Sequence, residues 1–171
     1  YHHLFADLLR RRLEQTAPDR VSDLHRRASE WYEQNGLVAE SVRHALAAGD
    51  VTLTARLIAG NALTMMYHGE LDTVVGWLDG LPEDLVQSQP WLCVAYAWTM
   101  AYAGTFDGVE TRLQEAERAL SGLDGHVEKP VLEEAEVHRL TGHIAAILAY
   151  TVALSGDMSR AAGLAREALE H

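Results

Sequence analysis

Apolar and polar positions recur along this chain with the period of a helix. Residues 91–104, WLCVAYAWTMAYAG, are apolar on every side, with Thr99 the only strongly polar side chain. A helix without a polar face has to be covered all round. The run is shorter than the roughly 18 residues a membrane span requires, so the pattern predicts an inner helix of a helical protein. After Gly104 the pattern turns amphipathic. Val109, Leu113, Ala116 and Leu120 fall on one helix face, with Glu110, Arg112, Glu115, Glu117 and Arg118 elsewhere. The carboxylates between 110 and 118, and those between 133 and 136, read as solvated helix faces. Residues 91–120 therefore predict a helical hairpin.

The same periodicity predicts helices over most of the remaining chain. Leu4, Phe5, Leu8, Leu9 and Leu13 mark a helix over 3–14. Val21, Leu24, Ala28 and Trp31 form the expected inner stripe of the next, which Pro18 starts and Asn35-Gly36 stops. Val42, Ala45 and Leu46 are expected inward on a short helix over 38–48. Ala55, Ile58, Ala62 and Met65 share a face over 52–67, and Leu71, Val74, Leu78 and Leu81 share the next. A loop is expected at 121–130, then a long helix over 131–155, then a last helix carrying Ala161, Leu164, Ala165 and Ala168. No stretch alternates with period two between hairpin turns, which predicts an all-α fold without strands.

One turn recurs. Gly36, Gly49, Gly69, Gly104 and Gly156 each precede an apolar residue two places on: Val38, Val51, Leu71, Phe106 and Met158. Glycine can take the left-handed conformation that ends a helix, and the apolar residue is expected to pin the following helix against the last. Helical hairpins joined in series make a solenoid. The interval from Gly69 to Gly104 is 35 residues, close to the roughly 34 of a tetratricopeptide repeat. The prediction is a right-handed helical-hairpin solenoid, tetratricopeptide-like, in preference to an irregular bundle.

Charge and cysteine content narrow the function. The formal net charge is −11, which argues against this segment gripping nucleic acid or an anionic membrane. The clusters Arg10–Arg12 and Arg26–Arg27 are better read as salt-bridging than as phosphate-binding. The single cysteine, Cys93, permits no intramolecular disulfide and sits in the apolar helix, where a thiol is inert. No phosphate-cradling G-x-x-x-x-G-K-[ST] sequence is present. His138 and His143 are five residues apart, off the i, i+4 register of helical metal ligands. The expectation is no catalytic residue and no metal. Tyr67, His68 and Tyr102 are the candidate groove residues, whereas Trp91 and Trp98 are expected in the core. The chain opens at Tyr1 and ends Leu169-Glu170-His171, which reads as a fragment of a longer protein.

Three stretches carry a resemblance: WYEQNGLVAESVRHALAAGD (31–50), LIAGNAL (57–63) and WLDGLPEDLVQSQPWLCVAYAWTMAYAG (77–104). They resemble the large ATP-binding LuxR-type transcriptional regulators, the MalT-like class of signal-transducing NTPases. The resemblance implies an order of P-loop ATPase, winged-helix region, helical linker, tetratricopeptide-like sensor and C-terminal helix-turn-helix. It places residues 1–15 at the end of the winged-helix region, 16–90 in the linker array and 91–171 at the start of the sensor.

Tyr1-His2-His3-Leu4-Phe5 is similar to the Met-His-Asp-type motif of these switch ATPases, which implies that His2 meets the β-phosphate of ADP in the full-length parent. The sequence departs from that motif in having His3 at the acidic position. The resemblance further implies a cytoplasmic, non-catalytic segment that binds no cofactor itself, with ATP or ADP elsewhere in the parent. Its implied partners are a small-molecule inducer or a regulatory protein, the other domains of its own chain, and further copies on self-association. The competing reading is a tetratricopeptide protein-interaction scaffold unrelated to transcription.

Overall fold

The computed structural model describes residues 8, 12–13, 16–121 and 132–170. Most of the expected helix over 3–14, His2 with its motif, and the expected loop at 121–130 lie outside the described residues, save Ser121, which is helical instead. Those residues form nine helices: α1 (Pro18–Gln34), α2 (Val38–Ala47), α3 (Val51–Tyr67), α4 (Leu71–Asp79), α5 (Glu83–Ser88), α6 (Pro90–Tyr102), α7 (Val109–Ser121), α8 (Glu134–Leu154) and α9 (Met158–Glu170). No strand occurs among the described residues. The chain divides into two compact units, 1–57 and 58–171, and the division falls within α3.

Local chemistry explains the helix ends. Proline opens α1 and α6, where its missing N–H costs nothing. Glu133 and Glu136 form a reciprocal capping box at the start of α8. All five recurring turn glycines have positive φ, for example +72° at Gly104 and +92° at Gly156, as the left-handed helix stop requires. Of the five apolar residues two places on, Val38 and Leu71 are half-buried and the other three are more exposed than expected. Val51, Phe106 and Met158 are 42%, 41% and 65% exposed. The glycine ends the helix by backbone conformation alone, and burial of the next apolar residue is not needed to close the turn.

In the first unit α1 packs on α2, but not through the stripe expected from the sequence. Leu24 and Trp31 are 50% and 56% exposed, and Leu46 of α2 is 44% exposed. The face of α1 that meets α2 is instead Ser22, His25, Ser29 and Tyr32. Ser29 Oγ donates to the Ser41 carbonyl at 2.9 Å, and Ser41 Oγ donates to the Ser29 carbonyl at 2.9 Å. Ser22 donates to the Ala48 carbonyl. Small hydroxyls that satisfy each other are buried at no polar cost, and their size lets the helices approach closely. His25 and His44 meet with Nδ1 atoms 2.8 Å apart, and Tyr32 stacks on the His44 ring. Arg26 pairs with Asp50 at 3.2 Å, and Arg56 pairs bidentately with Glu33.

In the second unit α6 is in contact with α4, α5, α7 and α8, which accounts for its lack of a polar face. Cys93, Val94, Ala97 and Ala101 of α6 form a buried cluster with Val109, Leu113 and Ala116 of α7 and Leu140, Ile144 and Ile147 of α8. α9 packs on α8 and buries Ala161, while Leu164 and Ala168 are half-buried and Ala165 stays exposed. α8 is long and apolar enough, by length and composition, to cross a membrane. Here Leu140, Ile144, Ala145, Ile147 and Ala149 are buried against protein, whereas Val137, Tyr150 and Leu154 are at least 40% exposed.

Candidate functional site

The second unit contains an open groove of about 560 Å³. Its walls follow from helix periodicity. Arg139, Gly142, His143, Ala146 and Ala149 lie at i, i+3, i+4, i+7 and i+10 on one face of α8. Ala165 and Ala168 of α9, Trp98 of α6 and Tyr67 at the end of α3 complete most of the lining. Glycine and alanine on α8 and α9 leave the space that larger side chains would fill. Among the described residues no aspartate or glutamate lines the groove.

The polar end of the groove is built around His143. Trp98 Nε1–H donates to His143 Nδ1 at 3.4 Å, and Trp91 meets the same ring edge-on, with centroids 5.7 Å apart. An indole nitrogen can only donate, so His143 Nδ1 accepts and its Nε2 carries the proton. Arg139 lies over the Trp91 ring, 5.8 Å from its centroid. Burial first, and the Arg139 charge second, hold the His143 imidazole below its ordinary pKa.

That direction predicts a pH effect. The folded protein takes up the His143 proton less readily than the unfolded chain does. Stability is therefore complete above roughly pH 6.5, the ordinary histidine value, and is lost as the pH falls through the depressed folded value. His44 is lowered in the same direction by burial, by His25 and by Arg43. A melting series from about pH 7.5 to 5.5 should show a falling midpoint, and His143→Gln should remove part of that slope. A slope identical in the variant would contradict this.

The expected groove residues are only partly brought together. Tyr67 lines the groove, is 72% exposed, and shares a tight crevice with Trp98, Tyr102, Leu63 and Met66. Tyr102 is 51% exposed and stacks on Trp98 with centroids 5.4 Å apart. Burial, Tyr67 and Tyr150 raise the Tyr102 pKa. His68 is exposed in the turn after α3, where its N–H reaches the Thr64 and Met65 carbonyls, and it lines neither space. Trp91 and Trp98 pack against the buried cluster as expected of core residues. They are only half-buried, however, and Trp98 also lines the groove. Arg139 and His143 were not singled out as groove residues by the sequence pattern. The signal was there in the small-residue stripe Gly142, Ala146 and Ala149 in register with them.

Other polar groups in this unit are structural. Glu115, expected on a solvated face, is 9% exposed. It accepts from Arg112 at 2.9 Å and from Gln87 at 3.1 Å. Arg112 also pairs bidentately with Glu83 and lies over the Tyr96 ring, 4.7 Å from its centroid. An arginine fork that serves two carboxylates and an aromatic face is what allows a carboxylate to be buried there. Tyr96 donates to Asp79, which raises its pKa. Cys93 donates to the Val86 carbonyl at 3.1 Å, and burial pushes its pKa up to about 12, so it remains a thiol. Among the described residues no group of three or more histidine, cysteine or acidic side chains is arranged to hold a metal ion.

Comparison with known proteins gives this unit and its neighbour a context. No family model matches the chain, and no solved structure does. Over 124 residues, 68% of the chain, it is 36% identical to the serine/threonine-protein kinase PknK of Mycobacterium tuberculosis and of Mycobacterium bovis, covering 11% of each. Over 171 residues, 99% of the chain, it is 30% identical to the HTH-type transcriptional regulator MalT of Cronobacter sakazakii, covering 18% of it. The chain thus spans about a tenth to a fifth of the length of the curated relatives it matches. Along almost its whole length, it is similar to one portion of a MalT-type transcriptional regulator.

Proposed function

We propose that the chain is the regulatory segment of a MalT-type regulator, non-catalytic itself, coupling recognition of an inducer or regulatory protein to an output domain. One observation carries this reading. The chain is similar along 99% of its length to a protein named as an HTH-type regulator, and 68% of it is also similar to one named as a kinase. A portion shared by proteins with different outputs is suited to input or coupling and not to either output. The all-helical fold is consistent with this. Hairpins α6/α7 and α8/α9 succeed one another, and α6 packs on α8, which is how stacked tetratricopeptide-like units meet in a right-handed solenoid.

In this proposal residues 16–90 act as linker and 91–171 begin the sensor. ATP or ADP would bind in a switch domain of the cytoplasmic parent, and Tyr67 and Tyr102 would border the inducer site. His68, away from the groove, would take no part. Coupling would work by population shift, the inducer favouring whichever state binds it better.

A thermal-shift screen of the purified chain against a metabolite panel tests the sensor role. A ligand present at about 100 times its Kd should add roughly 2.7 kcal/mol of apparent stability and raise the midpoint. If no metabolite moves the midpoint and affinity capture recovers a protein partner, the segment is an interaction scaffold instead.

A further inference from the structure

The groove over α8 has a chemistry that narrows what it can hold. Its volume of about 560 Å³ falls within the roughly 300–1,000 Å³ of small-molecule sites. In a chain of net charge −11, the described residues of the lining include no carboxylate and one formal cation, Arg139. Among the described residues Arg139 has no carboxylate partner and rests over an indole face. One turn along the helix, His143 accepts from Trp98 at Nδ1, which leaves Nε2 as the N–H donor of the neutral ring, and both Arg139 and His143 line the groove.

A single guanidinium with one further donor matches one carboxylate. A phosphate dianion would call for more charge than the lining supplies, and the surrounding field of an acidic protein disfavours it further. The rest of the lining is apolar or aromatic: Tyr67, Trp98 and Leu169, with glycine and alanine between them. Flat faces beside an alanine wall accommodate a planar apolar body.

We propose that this groove binds a small-molecule monocarboxylate with a flat apolar body. Its carboxylate is held by Arg139 and the His143 N–H, and its body lies on Trp98 and Tyr67. This rests on reading the segment as a sensor, and it names the class of inducer.

The test is calorimetric titration of the purified chain with 1-naphthylacetate and with its uncharged counterpart 1-naphthylacetamide. The acid should bind at least tenfold more tightly than the amide. Arg139→Gln should weaken the acid at least tenfold and the amide less than twofold. Ala165→Trp, at an exposed position, should fill the groove and abolish both, with the circular dichroism of either variant unchanged. Equal binding of acid and amide, or acid binding that survives Arg139→Gln, would overturn the assignment. So would binding of neither probe.

The sensor reading is judged separately. If an uncharged metabolite from the thermal-shift panel stabilises the chain and loses its effect in Ala165→Trp, the carboxylate proposal fails while the sensor role stands. If no small molecule binds anywhere, both fail.

Discussion

Replacing Ile147 with alanine is expected to destabilise the second unit by about 3–4 kcal/mol, within the range for large-to-small substitutions in a packed core. Ile147 is fully buried on α8 and belongs to the cluster shared with α6 and α7. Its removal leaves a void bounded by three helices, and the rigid packing of the Ala-rich α6 offers little to collapse into it. For a chain of this size the midpoint should drop by about 10 °C. Leu154→Ala on the same helix provides the control. Leu154 is 56% exposed, and its loss should change stability by less than about 0.5 kcal/mol. Equal losses for the two variants would mean that α8 does not pack as described.

Arg112→Met should cost about 3 kcal/mol, near the low end of the range for breaking a buried pair. The reason lies less in the bonds lost than in the charge left behind. Glu115 has a 10% exposed side chain and would keep only Gln87 as a partner. The Glu83 carboxylate, at 59% exposure, would return to water at little cost. Combining Arg112→Met with Glu115→Gln should therefore recover most of the loss, because no ion is then stranded. Chemical denaturation of the two single variants and the double variant gives the coupling energy directly. Strict additivity would show that Arg112 acts through its packing on Tyr96 rather than through Glu115.

Much of the fold was legible in the sequence where one local rule decided the outcome. Glycine at positions 36, 49, 69, 104 and 156 had to be left-handed for helices of that spacing to stop, and each has positive φ. The faces of α3, α4 and α7 followed from period 3.6, because each buries a continuous apolar stripe. The pattern misled where burial was secured by partners far along the chain. Ser29 is buried by a serine on α2, so the apolar stripe next to it turned outward. Glu115 is buried because Arg112 also reaches Glu83, 29 residues back from Arg112 in the chain.

The groove was half legible for the same reason. Tyr67 and Tyr102 were already candidate groove residues in the sequence. Arg139 and His143 sit on the polar half of a long helix, and they acquire meaning only once α8 is laid against Trp98.

The packing of α6 against four other helices also bears on how the molecule opens. A helix with one wet face can fray or detach while its neighbours stay folded, and its amides then exchange with solvent through that local event. α6 touches four other helices and buries eight of its residues, although Trp98 and Tyr102 on its groove side stay partly open to solvent. The amides of its buried central turns are therefore expected to exchange chiefly when the neighbouring helices separate, which makes them a slow clock for the unit.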